Sequence, residues 1–427
     1  MAVTKPLRIA IATGGRFHVL DLARELDPAE MAALDRAGAP DPVPGAGRAR
    51  RLRGVPAIPP VPPEAVSPPL RRGRGATVNP PNRFERQEAA PFDDGWATLG
   101  AEFTALPPLP TTLTRDASRS VIAWNKSPDI GFDRAVNPYR GCEHGCIYCY
   151  ARPSHAYLGY SPGLDFETRL TFKPDVAELL EKELRKPGYV ARTLALGSNT
   201  DPYQPVERTL KLTRAVLAVL DRFNHPVSIV TKSAGVLRDL DILQSLAGHN
   251  LVRVHLSVTT LDMSLARVME PRAAAPARRL QAIEALSRAG VPVAVLAAPM
   301  IPGLNDAEME RILEASARAG ARYAGYILLR LPHELKAIFT AWLQEHFPDR
   351  AGRVLELIRE TRGGMLNDAK FGQRFSGTGV YADLLARRFS RAVKQYGLLD
   401  RGELECARFA VPADARHGLA EVQMSLF

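Results

Sequence analysis

The feature that most narrows the fold is an alternation in the middle of the chain. Short apolar runs at 193–196, 227–230, 252–258, 291–298 and 323–329 alternate with amphipathic stretches at 210–223, 236–246, 277–289 and 307–319. Strand then helix, repeated, predicts a parallel sheet, because each crossover returns the chain to the same end of the next strand. Runs such as Val293-Ala-Val-Leu-Ala-Ala are apolar at every position, as strands covered on both faces must be. Two shorter candidate strands, 121–124 and 135–137, come first, and a helix is expected at 175–185. Counting the strand at 135–137, there are about six βα units, too few to close an eight-stranded barrel.

The first unit is interrupted by Asn137-Pro-Tyr-Arg-Gly-Cys-Glu-His-Gly-Cys-Ile-Tyr-Cys-Tyr150. Three of the four cysteines lie here, Cys142, Cys146 and Cys149, spaced C-x3-C-x2-C, while Cys406 is far away. An odd, clustered set fits a disulfide framework poorly and a metal centre well. Soft thiolates select zinc or iron–sulfur over hard cations. Gly141 and Gly145 let the backbone wrap closely around such a centre. A structural zinc needs a fourth ligand, which His144 or His155 would supply. A cubane on three cysteines leaves one iron open. The spacing by itself leaves both readings standing.

Length, 427 residues, suggests two or three domains. The chain has no apolar run of spanning length and no signal-peptide pattern, and its cysteines read as reduced, so a cytoplasmic, non-membrane protein is expected. Net charge is +10, compatible with a nucleic-acid partner and equally with an arginine-rich genome. Leu7-Arg-Ile-Ala-Ile-Ala-Thr-Gly-Gly reads as a strand and turn, but lacks the G-x-G-x-x-G order of a dinucleotide site. Residues 40–69 hold ten prolines and read as a linker or disordered arm. Residues 42–86 carry nine arginines against two glutamates, a basic arm of the kind that neutralises phosphates or simply stays solvated. Residues 72–80 and 82–85 look more constrained, able to wrap along the core. The organisation expected is an extension over 1–118, a core over 119–332, and a mostly helical region over 333–427 whose tail beyond Asp400 is loose.

The C-x3-C-x2-C spacing with an aromatic at Tyr148 resembles the radical S-adenosylmethionine (SAM) superfamily. That resemblance implies a partial (β/α)6 TIM-like barrel, a [4Fe–4S] cluster on Cys142, Cys146 and Cys149, and SAM on the open iron. It implies reductive cleavage of SAM to a 5′-deoxyadenosyl radical, with an external one-electron donor of flavodoxin or ferredoxin type. Barrel enzymes carry their chemistry at the C-terminal ends of strands. There the resemblance implies SAM contacts from Ser198, Asn199 or Asp201, from Lys232 and Ser257, and from Met300, Ile301 and Gly303 beside the adenine. His255 shares the face of Ser257 by alternation. Asn305 or Asp306 reads equally as a helix cap. A Glu270–Arg272 pair reads as lining the site or bracing its loop.

Thr200-Asp-Pro-Tyr-Gln-Pro205, Thr231-Lys232 and Ser257 narrow the resemblance to the spore photoproduct lyase-like branch, often labelled DNA repair photolyase. In that branch tyrosines flanking the third cysteine return the radical, which implies Tyr148 and Tyr150. The branch also uses an extra cysteine as hydrogen donor. No residue between 150 and 405 is a cysteine, so the resemblance extends to the family and not to that substrate. The glycine-rich segment 367–379 is expected to cap the barrel's open side. Three functions follow: radical chemistry on nucleic acid or a nucleotide-like substrate, the same chemistry on a protein or small molecule, or a non-catalytic, metal-stabilised nucleic-acid-binding protein.

Overall fold

Apolar strands that must be covered on both faces form the centre of the molecule. The structure, a computed structural model, describes residues 73–84, 109–399 and 402–413. The strand-and-turn read at 7–15, the proline-rich segment and the arginines at 48–53 lie outside them. Ten strands are present among the described residues: β1 Thr112–Arg115, β2 Ile122–Trp124, β3 Arg134–Val136, β4 Tyr139–Arg140, β5 Arg169–Phe172, β6 Leu194–Leu196, β7 Val227–Thr231, β8 Val252–Ser257, β9 Val293–Met300 and β10 Tyr323–Leu328. Seven of them make one sheet in the order β10-β9-β8-β7-β6-β3-β2. From β3 to β10 every pairing is parallel, with registers such as Leu196↔Ile229, Leu256↔Val295 and Tyr326↔Ala297. These are the six βα strands expected. β2 pairs antiparallel to β3 and forms one edge, β10 forms the other, and the sheet does not close.

The intervening helices are α1 Val176–Leu184, α2 Leu212–Arg222, α3 Leu240–Gly248, α4 Met263–Met269, α5 Pro276–Arg288 and α6 Met309–Arg318. Their apolar stripes pack on the sheet. Leu180, Val216, Leu220, Leu243, Ile283, Leu286 and Ile312 are buried against Val227, Ile229, Val254 and Val295. Each such side chain contributes roughly 1.5–3 kcal/mol. The C-terminal helices α7 Leu335–His346, α8 Pro348–Glu360 and α9 Val380–Gln395 match the helical expectation. Helices α7 and α8 build a second apolar cluster from Ile338, Phe339, Trp342, Val354 and Ile358. That cluster also takes in Ile147, Tyr148, Met269 and Ile301, so the C-terminal helices cover the cysteine loop.

Four features depart from the sequence expectation or extend it. A second sheet, β1-β5-β4, joins residues 112–115 to the core, so the chain packs before residue 119. Its strands are two to four residues long, too short for alternation to show. Residues 73–84 lie along the core, held by Arg74, Asn79 and Arg83. Residues 402–413 are not loose. Phe409 stacks on Phe223 and meets Tyr189 tilted and His225 edge-on, while Asn250, Arg253 and Arg185 donate to the carbonyls of Glu403, Gly402 and Pro412. Finally, the segment 367–379 bridges the sheet's two edges. Leu328 N at the end of β10 donates to the Phe375 carbonyl at 2.9 Å. Arg374 pairs with Asp129 in the β2–β3 connection at 2.8 and 2.5 Å.

Candidate functional site

The cysteine loop follows β3 and β4, where a parallel sheet opens its strand ends. Gly141 and Gly145 have φ of +79° and +67°. A Cβ on Gly141 would sit 2.9 Å from the Phe166 carbonyl, and one on Gly145 2.8 Å from Glu167 Oε2, so both positions need glycine. The loop is clamped from three sides. Thr200 donates to the Gly141 carbonyl at 2.7 Å. Gln204, fully buried, accepts from Glu143 N at 2.8 Å and donates to Thr200 Oγ1 at 3.0 Å. From the β8–α4 side, Ile147 N donates to the Met269 carbonyl, Arg272 N to the His144 carbonyl, and Arg272 pairs with Glu143 at 3.1 Å. From below, the buried Arg152 donates to the Cys146, Pro162 and Gly163 carbonyls and pairs with the buried Glu167 at 2.5 Å.

Cys142 and Cys146 are buried and Cys149 is half-buried. Burial pushes all three thiols up. Asp201 and the other two thiols push Cys142 further, and Glu270 does the same for Cys146. Thiolates here require a cation to balance them. Each histidine has one ring nitrogen engaged, while His155 Nδ1 is buried without a hydrogen-bond partner. His144 Nδ1 lies 3.3 Å from Asp201 Oδ2, and His155 Nε2 lies 2.9 Å from the Arg169 carbonyl. Among the described residues no three His, Cys, Asp or Glu side chains are drawn together as an ion site, so the fit rests on the donors themselves. Three soft thiols on one loop fit an iron–sulfur cubane with one open iron.

The other expected residues separate into two groups. Lys232 and Ser257 meet Tyr148 of the loop, while Tyr150 turns to Ser198 and Arg330. Lys232 Nζ donates to Ser257 Oγ at 2.6 Å and lies 5.5 Å from the centre of the Tyr148 ring. Burial lowers the Lys232 ammonium, with Cys146 opposing. Ser257 Oγ in turn donates to the Ala298 carbonyl at 3.0 Å. Tyr148 OH meets Glu270 and lies 3.2 Å from Thr259 Oγ1. Tyr150, half-exposed, donates to the Ser198 carbonyl.

Ser198, Asn199 and Asp201 are largely engaged in holding the loop. Ser198 Oγ and Asn199 N both bond the Asn137 side chain at 3.0 Å. Asp201 accepts from Thr231 Oγ1, Tyr203 N and Lys232 N at 2.7–2.8 Å. Burial alone would raise its carboxyl, but His144 and these donors hold it at about 2. Met300 is fully buried in the main core. Glu270 pairs with Arg279 rather than Arg272. The pairing reverses the expectation because Arg279, one helix later, points back under β8, donating to the Ser257 carbonyl at 3.0 Å. Asn305 is no side-chain cap. It accepts from Ile301 N and donates to the Thr259 and Pro299 carbonyls, pinning the turn after β9. Asp306 accepts from Gly303 N and the Tyr381 hydroxyl. His255 is held neutral, at about 3, by burial and by Arg253.

Sequence reasoning misses Glu167, Arg152, Gln204 and Arg279, each a buried polar side chain with several partners. A polar residue standing in an otherwise apolar or turn-like stretch is the only signal, and its partner lies up to about a hundred residues away.

Residues 136–315 match the sequence profile of the Radical SAM superfamily. An uncharacterized protein of Mycobacterium tuberculosis is 34% identical over 310 residues, covering 71% of this chain and 86% of that one. An uncharacterized protein of Methanocaldococcus jannaschii is 26% identical over 219 residues, covering 51% and 78%. Among solved structures, spore photoproduct lyase complexed with dinucleoside spore photoproduct aligns with TM-score 0.48 and 16% identity over 66% of this chain and 79% of that chain.

Proposed function

The chain belongs to the radical SAM superfamily, and from that premise we propose that it is an enzyme holding a [4Fe–4S] cluster on Cys142, Cys146 and Cys149 and SAM beside it. Bound together, these groups would supply one-electron reductive and hydrogen-abstracting chemistry, fed by the external donor. The observation that carries the reading is Lys232. Its ammonium sits at the end of β7 with one hydrogen bond, to Ser257, and no carboxylate in ion-pair range among the described residues. Three donors with one partner, facing a three-thiol loop, suit the carboxylate of an amino-acid moiety. Asp201 binds the Lys232 backbone and so sets where that ammonium points. Asn305 fixes the turn whose backbone would meet the adenine, and Met300 supports it from the core.

Tyr148 and Tyr150 are the residues we assign to hydrogen return. The substrate we propose is nucleic acid or nucleotide-like, with a flavodoxin- or ferredoxin-type protein as electron donor. The chain's net charge of +10 and its arginine-rich arm support that choice. Repair of a spore photoproduct is not proposed. Cys406 lies on the 402–413 segment, near Thr193 at the start of β6, at the opposite end of the strands from the cysteine loop.

The test is anaerobic reconstitution. The expected result is roughly four irons per chain and 5′-deoxyadenosine released from SAM under dithionite, both lost in Cys146→Ala. One bound zinc and no SAM cleavage would overturn the proposal. No helix among the described residues is long and apolar enough to cross a membrane.

A further inference from the structure

Beyond the cysteine loop, alternating rings and guanidinium groups run outward along the segment that bridges the sheet edges. Arg330, two residues past β10, lies 5.9 Å from the Tyr150 ring centre and 4.9 Å from that of Phe375. Arg374 lies 4.8 Å from Phe375 and 4.8 Å from Phe371. The order is therefore Tyr150, Arg330, Phe375, Arg374, Phe371. The two end residues, Tyr150 and Phe371, are 51% and 58% exposed.

The two arginines differ in their partners. Arg374 is neutralised by Asp129. Arg330 has no carboxylate within ion-pair range among the described residues, and its buried Nε has no hydrogen-bond partner. Burial, with Arg374 next, pushes its guanidinium down. Arg362 makes the contrast. Its Nε is also unpartnered, but its terminal nitrogens donate to the Leu328, Leu329, Gln373 and Arg374 carbonyls, a structural use. Among the described residues Arg330 makes no such bonds. A part-buried guanidinium packed between rings, with the nearby Asp129 paired to Arg374, keeps its forked donors for something outside the chain.

We propose that Arg330 is the phosphate-binding centre of the substrate groove, taking one phosphate of a single strand or nucleotide while bases stack on Tyr150 and Phe371. The proposal rests on the nucleic-acid reading above and names its contact. Phosphate matches the guanidinium fork bidentately, and exposed rings on both sides give bases a platform that a carboxylate alone would not use. Tyr150 follows Cys149 directly, so a strand lying on this ladder passes beside the reactive centre.

The experiment measures binding of a labelled single strand, about twelve nucleotides long, to the reconstituted full chain by anisotropy, across a salt series. Wild type is expected to bind, with affinity falling as salt rises. Arg330→Gln should bind roughly tenfold or more weakly, with the salt slope reduced by about 1. Arg330→Lys should recover part of the affinity. Phe371→Ala should weaken binding with little change in slope. Unchanged affinity and slope in Arg330→Gln would overturn the proposal. So would no binding by wild type, tighter binding of an acidic peptide of equal length, or a matching loss of SAM binding in Arg330→Gln. If Arg330→Gln fails to fold, Arg330→Lys and Phe371→Ala decide the matter. Arg330-dependent binding without any SAM cleavage would sink the enzyme reading and leave this one intact.

Discussion

Glu167 ties the cysteine loop to three buried donors. The side chain is completely buried behind the cysteine loop. It takes Arg152 Nη2 at 2.5 Å, Gly75 N at 2.9 Å and Ala76 N at 2.8 Å. Glu167→Leu removes the carboxylate paired with a fully buried arginine and leaves two buried amides without an acceptor. Breaking a buried pair from one side costs about 3–5 kcal/mol, and each orphaned amide adds about 1–3 kcal/mol where the backbone cannot relax. Because all three donors share one acceptor, the terms do not add, and about 4 kcal/mol is expected. At roughly 1–1.5 °C per kcal/mol for a chain of this size, the melting midpoint should fall on the order of 5 °C. Arg152→Met alone should also destabilise, since it frees three loop carbonyls. The double variant should be less damaged than the sum of the singles by about 1–3 kcal/mol. Denaturant unfolding of the four proteins supplies the cycle. A Glu167→Leu midpoint within about 2 °C of wild type, or strict additivity, would refute the account of the loop as a structure hung on one buried carboxylate.

Three further outcomes follow from the same contacts. Lys232→Met should weaken SAM binding roughly 10- to 100-fold while leaving the melting midpoint unchanged or higher, because a buried ammonium is removed; equal loss of both would make Lys232 structural. Asp129→Ala should destabilise by about 1–3 kcal/mol and speed amide exchange across 367–379, which pulse-labelling mass spectrometry reads directly; unchanged exchange there would mean the seam is held by something else. His225 accepts from the Tyr189 hydroxyl at Nε2 and donates from Nδ1 to the Pro226 carbonyl, and burial holds it at about 4 against an ordinary 6.5. The unfolded chain therefore binds its proton more readily, so stability is complete above about pH 6.5 and drains away toward about pH 4, by up to about 3 kcal/mol. His225→Gln should flatten that slope, and an identical pH profile in the variant would show that other groups set it.

Much of the architecture is legible in the residues themselves. Strands β6 to β10 fall where apolar runs stand, because a strand covered on both faces is mostly apolar, with Arg253, His255 and Ser257 of β8 among the polar exceptions. The cysteine loop is legible from spacing, since three thiols and two glycines within nine residues have few other uses. The Asp201 segment is harder. Turn-forming residues and ligand-binding residues are the same types, and only the contacts of Thr200, Asp201 and Gln204 reveal that the segment chiefly braces the loop. Met300 is hard to read for a related reason, because a methionine beside a turn packs inward or lines a cleft with equal ease. The short strands β1, β4 and β5 carry too few residues for periodicity to register.

Composition and order along the chain are enough to determine a six-stranded parallel sheet with a thiol loop at its first crossover, because burial leaves a periodic trace in local sequence. Tertiary packing alone decides that Glu270 meets Arg279, that Glu167 joins Arg152 to residues 75 and 76, and that Arg374 reaches Asp129 across the open edge. Ion pairs between distant segments obey distance in space, and a linear pattern of charges does not specify which of many opposite partners will come within about 3 Å.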